Sequence, residues 1–342
     1  MDGFLLKRKH ADGGNRHYLS LFSGQENHES IVLPFSKNSY VDGSGCGGLL
    51  YFDNFKGRII ISNPTTKTFK SLDPPKMPNP PNITIFSGSG LGYDRISDDY
   101  KVVRLFTHCP AIFSPRDFHN KAEVFSLKRG SWKEINSHVD GCTGFTNSMS
   151  GIYINGVCYW SANGYTIISF DFADERFSSF DLPVSNLYDH RNNLIKVNDM
   201  LGVFRQQKPL QFSTGFELLV RKEGSWVPWC NVHLCDIVRP LLLNEGQFLF
   251  LEKQLNLRHS QLVVYDLKAE KLEELDIYDY PKLMTIIPYV EDRFLLRCAK
   301  PMEDGCYSKD EEKEEDRDKL LEWRKKNEED KEEDQELIRP KC

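Results

Sequence analysis

The chain has 342 residues, of which 39% are hydrophobic and 27% are charged, and its net charge is −6. This length allows a large buried core, built as one large β domain or as two ordinary domains. No apolar run is long enough to cross a bilayer, and residues 1–10 carry charges where a signal peptide needs an apolar segment, so neither a membrane nor a secretory segment is expected.

Nine scattered cysteines without a CxxC pair indicate reduced thiols in a cytoplasmic or nuclear protein. Most of the net negative charge lies from Lys309 onward, so the rest of the chain is almost neutral and nucleic acid is not its expected partner.

The N-terminal region is predicted to hold a linker and two strands. Residues 1–16 are polar and contain glycine, which is typical of a linker remnant. Residues 17–22 and 30–35 are two predicted strands that have no partner nearby in the sequence.

Residues 151–182 contain the clearest copy of a repeated unit. The strands of this unit are predicted at 151–154, 157–160, 166–170 and 177–180. Asn155-Gly156, between the first two, is the dipeptide that best tolerates the positive φ angles of a tight hairpin. Four strands without a helical period predict a small antiparallel meander, which is marginal alone and is normally stacked with further copies.

The third and fourth strands of this unit recur along the chain. The first large apolar residue of the fourth strand marks each copy: Phe69, Trp132, Phe177, Trp226 and Leu272. Their spacing falls in the range of about 40 to 50 residues per propeller blade, with one insertion. A last half unit, with strands predicted at 283–289 and 293–297, lacks its outer strands. The sequence therefore predicts an all-β, six-bladed β-propeller over 17–300, closed by the two N-terminal strands because closure removes exposed sheet edges.

The tail, residues 301–342, differs in composition from the rest of the chain. It is highly charged and has few apolar residues, which predicts a solvated helix or a disordered segment. A docking helix around Leu320, Leu321 and Trp323 is the alternative.

No motif predicts a catalytic, cofactor or metal site. The glycine-rich stretch at 43–48 superficially resembles a phosphate-binding loop, but a strand follows it where that loop needs a helix. Cys230 and Cys235 flank His233 without a second cluster that would complete a zinc site. Neither GxSxG nor HExxH occurs, although an active site assembled from distant loops stays open. The two Gly-Ser-Trp copies, at 130–132 and 224–226, are interpreted as a turn glycine followed by a tryptophan that packs between blades.

The connections between strands predict where a partner would bind. In a four-stranded meander the turns after the first and third strands lie at one face, and here they are tight. The opposite face collects the variable connections, which are predicted at 107–120, 136–150, 183–192, 206–214, 231–239 and 253–260. Aromatic and arginine side chains dominate binding hot spots. The predicted partner-binding residues are Phe113, Phe118, Phe145, Tyr188, Arg191, Phe212, Arg239 and Arg258, with ordinary polar loops as the alternative.

An ordered series of motifs resembles a known family. The motifs are CGGLLYFDNFKGRIIISNPTTKTFKSLDPP, GLGYDRISDDYKVVRL, AEVFSLKRGSWKEI, GIYINGVCYWSA and IISFDFADERFSSFDLP. They are similar to the F-box-associated domain of plant F-box proteins, which is kelch-like in layout, and the most similar group includes the S-locus F-box type. The resemblance covers roughly residues 18–297.

The resemblance implies a non-enzymatic substrate-recognition subunit of an SCF-type E3 ubiquitin ligase. In this family the β domain binds a target protein, and an N-terminal F-box binds a Skp-type adaptor and through it a cullin. The chain departs from the pattern, because only residues 1–16 precede the predicted β domain and FLLKRKH looks like the segment just after an F-box. We therefore expect a fragment, a shortened gene product or an isoform. Two alternatives stay open: an F-box-less decoy that binds targets without ligase assembly, and a kelch-like enzyme with a site in the central channel.

Overall fold

The computed structural model describes most of the chain up to residue 301. The described residues are 3–9, 17–23, 26–32, 42–53, 59–73, 83–109, 119–136, 151–162, 165–183, 192–206, 214–234, 237–244, 246–255, 260–279, 285–289, 292, 294–297 and 299–301. They belong to one compact unit, Met1–Met302. The tail at 302–342 lies outside the described residues, so its predicted state stays a prediction. No helix within the described ranges is long and apolar enough to span a membrane.

All regular structure in the described residues is β-strand, arranged in six antiparallel sheets. The strands before the first complete sheet are β1 (Gly3–Lys9), β2 (His17–Ser23) and β3 (Glu26–Val32). The next eight are β4 (Asp42–Cys46), β5 (Leu49–Asp53), β6 (Ile59–Asn63), β7 (Thr68–Leu72), β8 (Ile83–Asp94), β9 (Asp99–Cys109), β10 (His119–Ser126) and β11 (Ser131–Asn136). Eight more are β12 (Ile152–Ile154), β13 (Val157–Ala162), β14 (Thr166–Asp171), β15 (Arg176–Asp181), β16 (Asn192–Val197), β17 (Met200–Gln206), β18 (Thr214–Lys222) and β19 (Ser225–Leu234). The last are β20 (Ile237–Asn244), β21 (Phe248–Gln254), β22 (Ser260–Asp266), β23 (Lys271–Asp279), β24 (Thr285–Tyr289) and β25 (Lys300–Pro301).

The six sheets are the blades of a propeller, as predicted. Blades one to five contain four consecutive strands each: β4–β7, β8–β11, β12–β15, β16–β19 and β20–β23. The first strands of neighbouring blades contact each other around the ring, and β24 of blade six contacts β4 of blade one. Buried apolar side chains form six clusters, one at each junction between neighbouring blades. The hydrophobic core is therefore divided among the blade junctions and holds the ring together by burial of apolar area.

Blade six joins the two ends of the chain, but its composition corrects the prediction. Its strand order is β24-β1-β2-β3, so one C-terminal strand combines with three N-terminal strands, where two and two were expected. Residues 3–9, predicted as linker, form strand β1, and residues 294–297, predicted as strand, are irregular. The reason is burial: Leu5 packs at the junction with blade one, and Leu6, on the opposite side of the strand, packs at the junction with blade five.

Glycines in the first strands allow the blades to approach closely. The first strand of blade one is β4, within the glycine-rich stretch. A Cβ at Gly45 would lie 2.6 Å from Ile287 of blade six, and one at Gly92 would lie 2.1 Å from the Phe172 ring of blade three. Neither position has room for a side chain, so the glycine runs serve packing, not phosphate binding.

The tight turns have the positive φ angles that their residues predict. Ile154 pairs with Val157, and the two residues between them, Asn155 and Gly156, have φ angles of 48° and 92°, as a type I′ hairpin turn requires. Gly130 and Gly224 also have positive φ, at 70° and 82°.

The tryptophan after each of these two glycines joins its blade to the preceding one. The indole N–H of Trp132 donates to the Asp73 carbonyl, and that of Trp226 donates to the Asp181 carbonyl. The structural interpretation of the Gly-Ser-Trp copies is confirmed.

A buried lysine joins blades two and three. Lys101 Nζ lies 2.9 Å from Asp94 Oδ2 and 2.8 Å from Glu175 Oε1, and it donates to the Phe172 carbonyl at 3.1 Å. Against the effect of burial, hydrogen bonds from Ser97 and Lys101 lower the pKa of Asp94 to about 2. Glu175 also accepts from Lys133 at 2.7 Å, and against burial these two lysines lower the pKa of Glu175. The network therefore holds one ammonium between ionised carboxylates of two blades.

Candidate functional site

The propeller has two different faces. The turns after the first and third strands of each blade lie at one face, called the turn face, and in blades one to five they are short. The remaining connections meet at the opposite face, called the loop face, where β9 and β10 end with His108 paired to His119. Most residues of these longer connections lie outside the described ranges, but the strands that carry them are described. The rigid part of the loop face is therefore the set of strand ends beneath the connections.

One predicted partner-binding residue falls within the described residues. Arg239 lies in strand β20 and not in a loop, because β19 and β20 extend until only two residues separate them. The predicted connection at 231–239 is wrong for this reason. Arg239 Nε donates to Glu252 Oε2 at 2.8 Å, and the Glu252 side chain is fully buried. Seven further residues lie outside the described residues, and their role in binding stays a prediction: Phe113, Phe118, Phe145, Tyr188, Arg191, Phe212 and Arg258.

Three blades repeat this kind of ion pair between adjacent strands. In each blade the arginine and the glutamate are direct cross-strand neighbours on adjacent strands, and the pairs are Arg104 with Glu123, Arg205 with Glu217, and Arg239 with Glu252. The Arg104 to Glu123 distance is 2.8 Å, and the Arg205 guanidinium also contacts its partner directly. A charge-assisted pair between adjacent strands joins them more strongly than the backbone ladder alone.

Two of these arginines also contact the preceding blade. Arg205 Nη1 donates to the Pro183 carbonyl at 2.7 Å, at the point where the connection after blade three begins. Arg104 Nε lies 3.4 Å from Asp53 of blade one, and Tyr51 donates to the same carboxylate at 2.9 Å. These residues were not predicted from the sequence. Their signal is a single charged residue among apolar neighbours in a strand, as in VVRLF and FELLV.

A pocket of about 520 Å³ lies at the turn face between blades one and two. Its outer wall is formed by residue 292 and residues 294–297, which lie in sequence between blade six and β25 at the edge of blade one. Asn63 holds this segment, since its amide nitrogen donates to the carbonyls of Asp292 at 3.0 Å and Phe294 at 2.8 Å. Leu296 is buried among apolar residues of blades one and two. The wall of the pocket is therefore fixed to the propeller.

Aromatic rings form the inner surface of this pocket. Tyr100 stands between Tyr93 and Phe294, with a ring-centroid distance of 5.0 Å to each. Tyr93 donates to Asp98 Oδ1 at 2.5 Å, and this hydrogen bond raises the pKa of the Tyr93 phenol, so the phenol stays neutral at pH 7. The exposed large hydrophobic side chains gather here: of five such residues in the described part of the chain, Phe294 and Leu295 line the pocket and Ile96 lies in the turn between Tyr93 and Asp98.

The charged groups of the pocket differ in the hydrogen bonds and ion pairs that they make with other described residues. Asp99 accepts from Ser126 at 2.5 Å and from the Lys128 backbone at 2.9 Å, and Asp292 accepts from the Phe294 backbone at 3.0 Å. Within the described residues, the side chains of Lys70 and Arg297 have no hydrogen-bond or ion-pair partner. An ammonium and a guanidinium carry hydrogen-bond donors only.

The described residues contain no group of three or more His, Cys, Asp or Glu side chains placed to hold a metal ion. The three cysteines whose side chains are described are free thiols. Burial raises the pKa of Cys46 to about 12 and that of Cys230 to about 11, so these thiols are protonated at pH 7.

These observations define a β-propeller with one face of irregular connections and one face of tight turns. The chain belongs to the F-box associated beta propeller domain family, whose model matches residues 5–285.

The relatives are F-box proteins of Arabidopsis thaliana. An F-box/kelch-repeat protein is 26% identical over 216 residues, which cover 60% of this chain and 57% of the relative. The F-box protein CPR1 is 26% identical over 305 residues, which cover 79% of this chain and 71% of CPR1. The chain thus spans little more than half the length of the first of these relatives. Among solved structures, TolB from Acinetobacter baumannii aligns with a TM-score of 0.52 at 12% identity, over 84% of this chain and 66% of TolB, which supports the fold alone.

Proposed function

We propose that this propeller is the target-binding part of an SCF-type E3 ubiquitin ligase and that it binds target proteins through the connections at its loop face. The observation that carries the proposal is the family membership, together with relatives that are F-box proteins. A rigid frame with variable connections at one end is the arrangement in which recognition usually resides. The repeated arginine–glutamate pairs support it, because they join adjacent strands of this frame.

The position of strand β1 supports adaptor binding on the turn-face side and target binding at the loop face. Gly3 pairs with Tyr289, and Tyr289 is the last residue of β24, at the turn face. A segment that precedes Gly3 therefore joins the propeller at the turn face. In an F-box protein built this way, adaptor binding takes place on the turn-face side, and the loop face is left open to the target.

Co-purification tests target binding. We expect a tagged chain to retain a specific protein that the Phe113→Ala and Arg258→Ala variants lose, because both substitutions remove hot-spot side chains from predicted connections. Lys268→Ala, in the exposed turn between β22 and β23 at the turn face, is the control and should retain the same protein. A partner that is retained equally by all three variants would contradict binding through the loop face.

Adaptor binding tests the role in the ligase. A purified Skp-type adaptor is mixed with this chain and with a version that carries a grafted F-box. Assembly with the adaptor and target binding by the same grafted chain would support the ligase proposal. The decoy would be favoured if the chain binds its target but neither the chain nor its grafted version assembles with the adaptor.

A further inference from the structure

We propose that the turn-face pocket is a second binding site, for an acidic segment of a partner protein that places an apolar side chain next to its carboxylates. This inference goes beyond the target binding proposed above, because the pocket and the loop face are at opposite ends of the blades.

The size and lining of the pocket suit an apolar side chain. At about 520 Å³ the pocket falls within the range of natural ligand sites, about 300 to 1,000 Å³. The rings of Tyr100 and Phe294 provide a rigid surface, and Leu295, 78% exposed, extends that surface beyond the pocket. Ile96, 82% exposed, is a further apolar side chain on the turn beside Tyr93. Exposed apolar side chains that gather around a concave site are typical of an interaction surface.

The lining of the pocket carries three carboxylates and three cations, and they differ in the hydrogen bonds that they already make. The described acids of the lining already accept hydrogen bonds from the fold: Asp98 from Tyr93, Asp99 from Ser126, and Asp292 from the Phe294 backbone. Lys128 is also engaged, because its ammonium donates to the Ser97 carbonyl at 3.0 Å.

Lys70 and Arg297 are the two lining cations whose side chains make no hydrogen bond or ion pair with another described residue. An ammonium and a guanidinium offer up to eight N–H donors between them and accept none, so the complementary group is a carboxylate. A segment with carboxylates on either side of a leucine or phenylalanine would pair both cations and cover the exposed rings.

The experiment uses the full chain and a fluorescein-labelled probe peptide, acetyl-Glu-Leu-Phe-Glu-amide, with acetyl-Lys-Leu-Phe-Lys-amide as its charge-reversed counterpart. Binding is followed by fluorescence anisotropy at low and high salt. We expect the acidic probe to bind at least about tenfold more tightly than the basic probe, with an affinity that falls as salt screens the contact. Equal binding of the two probes, or binding of neither, would overturn the proposal.

Variants test whether binding occurs in this pocket. Lys70→Met combined with Arg297→Gln should weaken the acidic probe about tenfold, while Lys121→Met, an exposed lysine paired with Glu134 away from the pocket, should leave it unchanged. Phe294→Ala should weaken the acidic probe as well. An unchanged affinity in the Lys70 and Arg297 double variant would place the probe elsewhere and refute the site. Because the test uses no target protein, its failure leaves target binding at the loop face unaffected.

Discussion

The buried lysine between blades two and three provides a matched pair of substitutions. Lys101 and Lys133 both contact Glu175, but the Lys101 side chain is 8% exposed and the Lys133 side chain is 61% exposed. Lys101→Met leaves Asp94 and Glu175 without their buried cation, and breaking a buried pair in this way costs about 3 kcal/mol of unfolding free energy. Lys133→Met removes an exposed pair, which is worth less than about 1 kcal/mol.

Acidification gives a second test of the same network. The pKa of Asp94 is lowered to about 2 and that of Glu175 is also lowered, so the stability they contribute is present above their unfolded pKa values of 3.8 and 4.5 and is lost as the pH falls towards 2. Against the effect of burial, hydrogen bonds to Glu175 and Asp94 raise the pKa of Lys101 above 10.5, so its contribution persists until the pH rises through that raised value. The difference between wild type and Lys101→Met should be constant from about pH 5 to pH 10 and should shrink below about pH 4.

The assay is urea unfolding followed by tryptophan fluorescence, at pH 7 and at pH 3, for wild type and both variants. Thermal unfolding should agree, with Lys101→Met melting roughly 6 °C below wild type, at about 2 °C per kcal/mol for a large domain. The reasoning is refuted if the two variants lose equal stability at pH 7, or if the loss in Lys101→Met is as large at pH 3 as at pH 7.

Three further substitutions or modifications test the fold. Leu5→Ala should lower the unfolding free energy by about 3 kcal/mol, because Leu5 is buried where blade six closes the ring. Leu295→Ala, at an exposed position, should change it by less than about 0.5 kcal/mol. Equal urea midpoints for the two variants would contradict closure of the ring by β1. Gly92→Ala should cost about 1 to 3 kcal/mol, because the added Cβ meets the Phe172 ring, and an unchanged melting temperature would show that the blades are not so closely packed. Burial raises the pKa of Cys158, so iodoacetamide at pH 8 should alkylate it only after unfolding, and mass spectrometry that detected rapid modification of the native chain would refute its burial.

The blade count was predictable because its signals are local. A hairpin turn such as Asn155-Gly156 depends on the residues in the turn itself, and it lies between two short strands as expected. A marker such as Trp132 or Trp226 also recurs at the same position of each unit.

The closing strand was not predictable from local signals. In β1 the apolar residues Phe4 to Leu6 are followed by three basic residues, which gives this segment the composition of a linker. Its partner, β24, is separated from it by nearly the whole chain, so only the assembled ring reveals the pairing. The glycine-rich β4 was missed for a related reason, because the demand for glycine comes from Ile287 of another blade.

The candidate sites show the same limit. The division into loop face and turn face follows from the meander and could be predicted, but Arg239 was assigned to a connection although its strand continues through it and pairs it with Glu252. The turn-face pocket combines Lys70, Tyr100 and Phe294, which come from three distant parts of the chain. No sequence window contains all three, so the pocket emerges only from the packing of blades one and two with the C-terminal segment.

Site-specific photo-crosslinking tests target binding at the loop face most directly. A crosslinking amino acid replaces Tyr188 in one version of the chain and Lys268, in the exposed turn between β22 and β23 at the turn face, in another, and each version is irradiated in a plant cell extract. We expect a protein that is captured from position 188, is not captured from position 268, and is lost when Phe113→Ala is added. A protein captured only from position 268, or captured equally from both positions, would contradict target recognition by the loop face.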